Sequence, residues 1–219
     1  MAIQWIFFDT GCTLVNEDLA WLVRCREQAA DPEAKKMGVT ALDIYRGVME
    51  ASRRWLPQFR TVIDRYGFSR AAPYRSEYET LYPGAAPILQ ALSRRYFLGV
   101  IANQAAGLRD RLRAYGIGEW LSVVASSWEA GVQKPDPALF RLALRQAGCA
   151  PEDAVMVGDR LDNDIVPAKA LGMGTVWVRQ GFGALQTPRD AGSTPDHTVD
   201  SLNGLIPLFL PDGARAGFG

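Results

Sequence analysis

Four stretches of this sequence carry side chains that could do chemistry together. Asp9 opens Asp9-Thr10-Gly11-Cys12-Thr13-Leu14, and Asn103 follows the apolar run that ends at Ala102. Lys134 lies in Gly131-Val132-Gln133-Lys134-Pro135-Asp136-Pro137. Asp159, Asp162 and Asp164 fall in Gly158-Asp159-Arg160-Leu161-Asp162-Asn163-Asp164. A carboxylate can attack an electrophile, and several together form a hard-oxygen site of the kind Mg²⁺ prefers. Asp9, Asp159 and Asp164 side by side would repel one another unless a cation sat among them. Lys134 could balance the remaining charge and hold an anionic substrate.

Taken singly, these residues have plainer readings. Asp9 could close an Asx-turn after a strand, and Lys134 could be a solvated turn lysine. Asp136 and Pro137 suit a helix start, and Asp162 is best read as a solvated carboxylate favoured near a helix N-terminus. The functional reading gains weight because all these residues follow apolar runs. In an open parallel sheet the carboxyl ends of the strands are where ligands bind.

The elements that must position them follow from periodicity. Residues 3–8, 96–102, 120–125, 154–157 and 175–178 are short apolar runs rich in β-branched and aromatic residues. Continuous apolarity predicts strands buried on both faces of a parallel sheet. Helical patterns lie between them. Ala85, Ile88, Leu89 and Leu92 recur at helix spacing, as do Leu139, Leu142, Ala143 and Ala147, with Asp136 as cap and Gly148 as terminator. The alternation predicts an α/β doubly wound fold. Residues 16–82 break it, because no strand pattern is visible there. Leu19, Leu22, Val23 and Arg26 mark one helix. Thr40 and Asp43 form a capping-box pattern before Leu42, Tyr45, Val48, Met49 and Ser52, and Phe59, Val62, Ile63 and Tyr66 mark a helix ending at Gly67. The expectation is a small all-helical unit with Trp21, Tyr45, Trp55 and Phe59 in its core. Residues 211–219 have the composition of a tail.

Composition narrows the function. The chain has 219 residues with 24 basic and 24 acidic side chains, so no electrostatic footprint for nucleic acid or an anionic membrane exists. One histidine, His197, excludes zinc sites that need two imidazoles and reads as a surface residue. Three cysteines, Cys12, Cys25 and Cys149, show no C-x-x-C spacing, and their odd number argues against a disulfide framework. Residues 1–8 are apolar but lack a basic leader and meet Asp9 too early for a secretory signal. These features predict a soluble, cytoplasmic protein.

The motifs FFDTGCTL, LYPG, GVIAN, GVQKPDP and MVGDRLDNDI, in this order, resemble the haloacid dehalogenase (HAD) superfamily, with a helical cap inserted after the first strand. The pairing of KPDP with GDRLDND about twenty residues later is the specific part, and PDHTVDSL is similar to the family's last strand region. The resemblance implies a Rossmann-like core of residues 1–15 and 83–219, and a cap of residues 16–82. It also implies a phosphohydrolase acting on a small phosphorylated substrate, with Asp9 as nucleophile and Lys134 steadying it and the phosphate. Mg²⁺ would be held by Asp9, Asp159, Asp164 and the carbonyl of Gly11, and Asn103 would contact the substrate.

The departures from that family are specific. Its phosphatases carry a second aspartate where this chain has Gly11, a serine or threonine where it has Ala102, and usually a glycine where it has Cys12. Loss of a general acid-base costs about 10² to 10⁴ in rate, so weak or narrow turnover is expected. Three other readings stay open on the sequence. One is a catalytically degenerate binding or regulatory protein. Another is a dehalogenase, which also lacks the second aspartate. The third is a phosphonate-cleaving enzyme, for which Lys35 or Lys36 would have to form a Schiff base.

Overall fold

The structure is a computed structural model and describes residues 3–211. The tail predicted for 211–219 therefore lies outside the described residues apart from Pro211. Eight strands are present among the described residues: β1 (Trp5–Phe8), β2 (Val15–Asn16), β3 (Thr80–Leu81), β4 (Phe97–Ala102), β5 (Leu121–Ser126), β6 (Ala154–Gly158), β7 (Gly174–Val178) and β8 (His197–Val199). Six form one sheet in the order β5-β4-β1-β6-β7-β8, with every neighbouring pair parallel. The chain winds outward from β1 through β4 to β5, then crosses back to β6 and winds out to β8. That reversal puts the carboxyl ends of β1, β4 and β6 side by side.

All four residues of β1 are buried, which explains its unbroken apolar run. Alternate residues serve opposite faces. Ile6 and Phe8 pack with Leu98, Val100, Val155 and Val157 under α5 (Ala85–Ser93), α6 (Leu108–Ala114) and α10 (Leu205–Phe209). Trp5 and Phe7 pack with Ile101, Met156, Leu139 and Phe140 under α8 (Pro137–Ala147) and α9 (Val166–Ala170). A sheet covered on both sides keeps its loops rigid at the edge, which is what a site needs. After a short α7 (Ser127–Ala130), the α8 ends match the sequence signals, since Asp136 accepts from the amide of Ala138 at 2.8 Å and Gly148 takes the left-handed C-cap conformation.

Between β1 and β4 lie α1 (Asp18–Ala30), α2 (Pro32–Lys36), α3 (Ala41–Arg53) and α4 (Gln58–Tyr66). Thr40 and Asp43 form the predicted capping box at α3, and Gly67 ends α4 in the left-handed region. The helices are where the patterns place them, but two are rotated. Leu19 and Leu22 are about half exposed and so is Leu42, whereas Ala20, Trp21 and Cys25 of α1 and Ile44, Gly47 and Val48 of α3 face inward. The reason is aromatic packing. Trp21 sits against Phe59, Tyr74 and Phe182 at ring-centroid distances of 6.2, 6.0 and 5.3 Å, and this turns α1 away from its leucines.

Strands are also present at both ends of this segment, contrary to the sequence reading. Val15 pairs with Leu81 and Asn16 with Thr80, antiparallel, so the chain enters and leaves the helical unit through one two-residue ladder. The unit's core is not self-contained either. Phe182, from the loop after β7, inserts into it, and the hydroxyl of Ser52 donates to the carbonyl of Phe182 at 2.8 Å. Trp55 does not join that core but packs with Leu161, Ile165 and Trp177. His197 is exposed on β8, an edge strand.

Candidate active site

Asp9 leaves β1 with its amide donating to the carbonyl of Val157 at 2.9 Å, which ties the first loop to β6. Lys134 Nζ reaches Asp9 Oδ1 at 2.7 Å and Asp164 Oδ1 at 2.6 Å. The lysine and Asp164 side chains are 2% and 0% exposed, whereas Asp9 keeps 14%, so the lysine is hidden and the aspartate is partly open. The other oxygen of Asp164 accepts from the amide of Arg160 at 2.9 Å. Oxygens of Asp9, Asp159 and Asp164 lie within 4.8 Å of one another.

Three carboxylates around one ammonium leave a net negative charge. Burial acts to lower the pKa of Lys134, but Asp164 and Asp9 overcome it and hold the lysine above its usual value. Burial raises Asp164 to about 6 against the pull of the shared lysine. Asp159 fares worse. Among the described residues it forms no salt bridge of its own, and burial together with Asp164 and Asp9 outweighs the nearby charge of Arg160 and pushes it well above the usual carboxylate range. Thr13 Oγ1 donates to it only at the limit of 3.5 Å. A hard divalent cation meets the need of such a cluster, so the residues present fit Mg²⁺.

Asn103 follows β4 and clamps the backbone of Lys134. Its Oδ1 accepts from the lysine amide at 2.7 Å and its Nδ2 donates to the lysine carbonyl at 2.9 Å. One N–H of the amide is left over for a ligand. Asp162, read as a solvated helix-start carboxylate, instead faces Arg160 in a fork at 3.0 and 2.5 Å and accepts from Gln186 at 2.9 Å, holding the loop rather than the site. Ala102 is fully buried and offers no hydroxyl.

The loop after Asp9 explains two unusual residues. Cys12 has φ +54°, the left-handed region that favours glycine. Its thiol fits because Gly181 faces it, and a Cβ at position 181 would come within 2.5 Å of Cys12 Sγ. Burial first, then the charge of Glu17, raises the Cys12 pKa well above its usual value, so the thiol donates, to Glu17 Oε2 at 3.6 Å.

Glu17 is the residue that sequence reasoning missed. A Cβ at position 11 would come within 2.3 Å of Glu17 Oε1. The glutamate therefore fills the space that a side chain at Gly11 would take. Trp21 Nε1 donates to Oε2 at 3.1 Å. Burial and the nearby charge of Glu79 raise Glu17 from the usual range to about 7. The signal was the spacing of Glu17 and Trp21, i and i+4 on a helix start, facing a glycine.

These groups open on one cavity of about 470 Å³ lined by Asp9, Lys134, Asp159, Glu17, Trp21 and Arg111 among others. Lys35 and Lys36 are exposed on α2 and do not line it. No described helix is long and apolar enough to cross a membrane.

A sequence model of the HAD-hydrolase-like family matches residues 132–205. The chain is 34% identical over 197 residues to a phosphoserine phosphatase from Thermus thermophilus, covering 81% of this chain and 78% of that relative. It is 40% identical over 127 residues to a glyceraldehyde 3-phosphate phosphatase from Methanopyrus kandleri, covering 57% of this chain and about half, 54%, of that one. A solved HAD phosphatase from Thermococcus onnurineus superposes with TM-score 0.68 at 23% identity, covering 94% of this chain and 97% of the other, a likeness of fold. A 2-haloacid dehalogenase from Pseudomonas syringae superposes with TM-score 0.61 at 26% identity, over 95% and 98% of the two chains. The chain belongs to the HAD-like hydrolases.

Proposed function

We propose that this protein is a Mg²⁺-dependent phosphohydrolase acting on a small phosphorylated metabolite through an aspartyl phosphate on Asp9. One observation carries the reading: Lys134 joins Asp9 and Asp164 at 2.7 and 2.6 Å, with Asp159 in the same cluster, at the wall of a 470 Å³ cavity. The phosphatase names of two relatives at 34% and 40% identity support it.

Lys134 fixes Asp9 through Oδ1 and so presents the other carboxylate oxygen for in-line attack on phosphorus. Phosphoryl transfer is mostly positioning and charge neutralisation, and a buried lysine supplies both. Asp164 and Asn103 keep that lysine in place, and the free N–H of Asn103 faces the substrate. Asp9, Asp159, Asp164 and the Gly11 carbonyl would hold Mg²⁺. When bound, the ion would supply Lewis-acid neutralisation of a phosphoryl oxygen. The absence of a hydroxyl at Ala102 removes one substrate contact and favours weak or narrow turnover.

We take residues 1–15 and 83–219 as the catalytic core and 16–82 as the cap that closes over it. The β2–β3 ladder at the junction supports this division. The three free thiols suit a reducing compartment such as the cytoplasm. The Schiff-base reading loses support because Lys35 and Lys36 lie away from the cavity. Haloacid cleavage loses it because attack on a carbon–halogen bond offers no phosphoryl oxygen for the cation that Asp9, Asp159 and Asp164 would hold to neutralise.

The test is hydrolysis of an aryl phosphate with and without Mg²⁺. Turnover in the presence of Mg²⁺, abolished in Asp9→Asn, is the expected result. Equal turnover in that variant overturns the assignment, and tight phosphate binding without any turnover assigns the protein to binding or regulation instead.

A further inference from the structure

Asp9, Asp159 and Glu17 are the three carboxylates lining the cavity. The first is tied to Lys134 and the second lies in the acidic cluster, so both have work in holding charge. Glu17 belongs to neither arrangement. It precedes α1 at the N-cap position, yet its side chain makes no capping hydrogen bond. No basic side chain pairs with it among the described residues. Both hydrogen bonds to it, from Trp21 Nε1 and Cys12 Sγ, fall on Oε2. Among the described residues Oε1 has no such partner and lies over Gly11, two residues along the chain from the nucleophile, while the buried Tyr74 hydroxyl sits near the carboxyl and favours its charged form.

From this placement we propose that Glu17 is the proton-transfer group of the reaction. Its Oε1–H protonates the leaving-group oxygen as the phosphorus–oxygen bond breaks, and the resulting carboxylate then takes a proton from the water that attacks the aspartyl phosphate. The balance closes within one cycle: the proton given to the departing alcohol is recovered from water, whose oxygen leaves with inorganic phosphate. Trp21 and Cys12 act as positioning residues, pinning Oε2 so that Oε1 is the oxygen turned to the substrate. Gly11 is then a requirement, because any side chain there would displace this carboxyl. The assignment also names a substrate class. With an acid in place, the enzyme suits unactivated alkyl phosphates, whose alkoxide would be a poor leaving group without a proton.

The proposal rests on the phosphohydrolase reading, and the experiment separates the two. Wild type, Asp9→Asn, Glu17→Gln and the double variant Gly11→Asp/Glu17→Ala are compared with Mg²⁺ on an alkyl phosphate and on p-nitrophenyl phosphate. Thermal melts check that each is folded. Glu17→Gln should lose about 10² to 10⁴ in kcat on the alkyl phosphate. On p-nitrophenyl phosphate it should release one equivalent of nitrophenol per site and stall, with the phosphoryl adduct visible by intact mass. The double variant brings a carboxyl into the same space from the other side and should recover part of the lost rate. A Glu17→Gln enzyme that turns over both substrates like wild type, without a burst, overturns the role of Glu17 while leaving Asp9 as nucleophile. A folded Glu17→Gln enzyme slowed equally on both substrates, with no adduct, overturns it too. Absence of turnover and of any burst in wild type overturns the phosphohydrolase reading itself.

Discussion

The two walls of the cavity are built on opposite principles. The wall from the sheet edge is an ion cluster in which a lysine 2% exposed is shared by Asp9 after β1 and Asp164 after β6, with its own backbone clamped by Asn103 after β4. The wall from the helical unit holds Glu17 with no cation paired to it among the described residues, set among Trp21, Tyr74 and the inserted Phe182. A charge that must stay fixed throughout a reaction belongs on rigid strand ends with compensating partners. A carboxyl that must exchange a proton belongs where nothing neutralises it. The difference also divides the labour of the chain: the sheet supplies neutralisation, and the insert supplies the group that tells one leaving group from another.

Changing one wall at a time separates their roles. The largest effect should come from Lys134→Met, which leaves Asp164 fully buried and Asp9 partly buried with no ion pair. It should cost about 3 to 5 kcal/mol in a denaturant titration, together with turnover, and Mg²⁺ should restore part of the stability. If stability were unchanged, the lysine would not be the keystone of that wall.

A smaller effect concerns the opposite wall and pH. Glu17 binds its proton more tightly in the folded chain, at about 7, than an ordinary glutamate near 4.5. The folded state therefore holds more protons between these values, and its stability falls as pH rises through them, levelling above 7. Asp159 and Asp164, also raised, add to the fall. Lys134, raised from a higher starting value, contributes constantly over this window, and Asp162, held below the usual range, changes only at lower pH. Allowing for water at a half-buried carboxyl, the Glu17 share is about 2 kcal/mol. In Mg²⁺-free melts from pH 5 to 8, Glu17→Gln should lose that share of the slope, and a slope identical to wild type would contradict it.

The smallest effect tests whether the insert's own scaffolding matters to the chemistry. Thr40→Ala removes the cap of α3, where the side chain accepts from the Asp43 amide at 3.2 Å. A loss of about 1 kcal/mol in stability is expected, with kcat unchanged. A large fall in kcat would mean that the insert's stability and its contribution to the site cannot be separated.

How much of this was legible depended on the length scale of the signal. The strands buried on both faces declared themselves as apolar runs, and Asp9, Lys134, Asp159 and Asp164 stood at the ends of such runs. The orientation of α1 and α3 did not, because Leu19, Leu22 and Leu42 carry as much local apolar signal as the residues buried in their place. The β2–β3 ladder is two residues long, too short for any period to register. The clamp that Asn103 makes on the backbone of Lys134 was invisible because it spans a sequence gap that no local pattern links.

The alternation of strand and helix, the family, and the acids and lysine of the sheet edge are all written in contiguous residues whose spacing has a physical meaning. The assembled fold alone reveals that the empty side of Gly11 is occupied, by a glutamate that enters from the helical unit and is pinned by Trp21 and Cys12. That contact joins two walls built by different parts of the chain. Its existence depends on how the first turn of α1 is rotated by aromatic packing, which is a property of the assembled core and of no single segment.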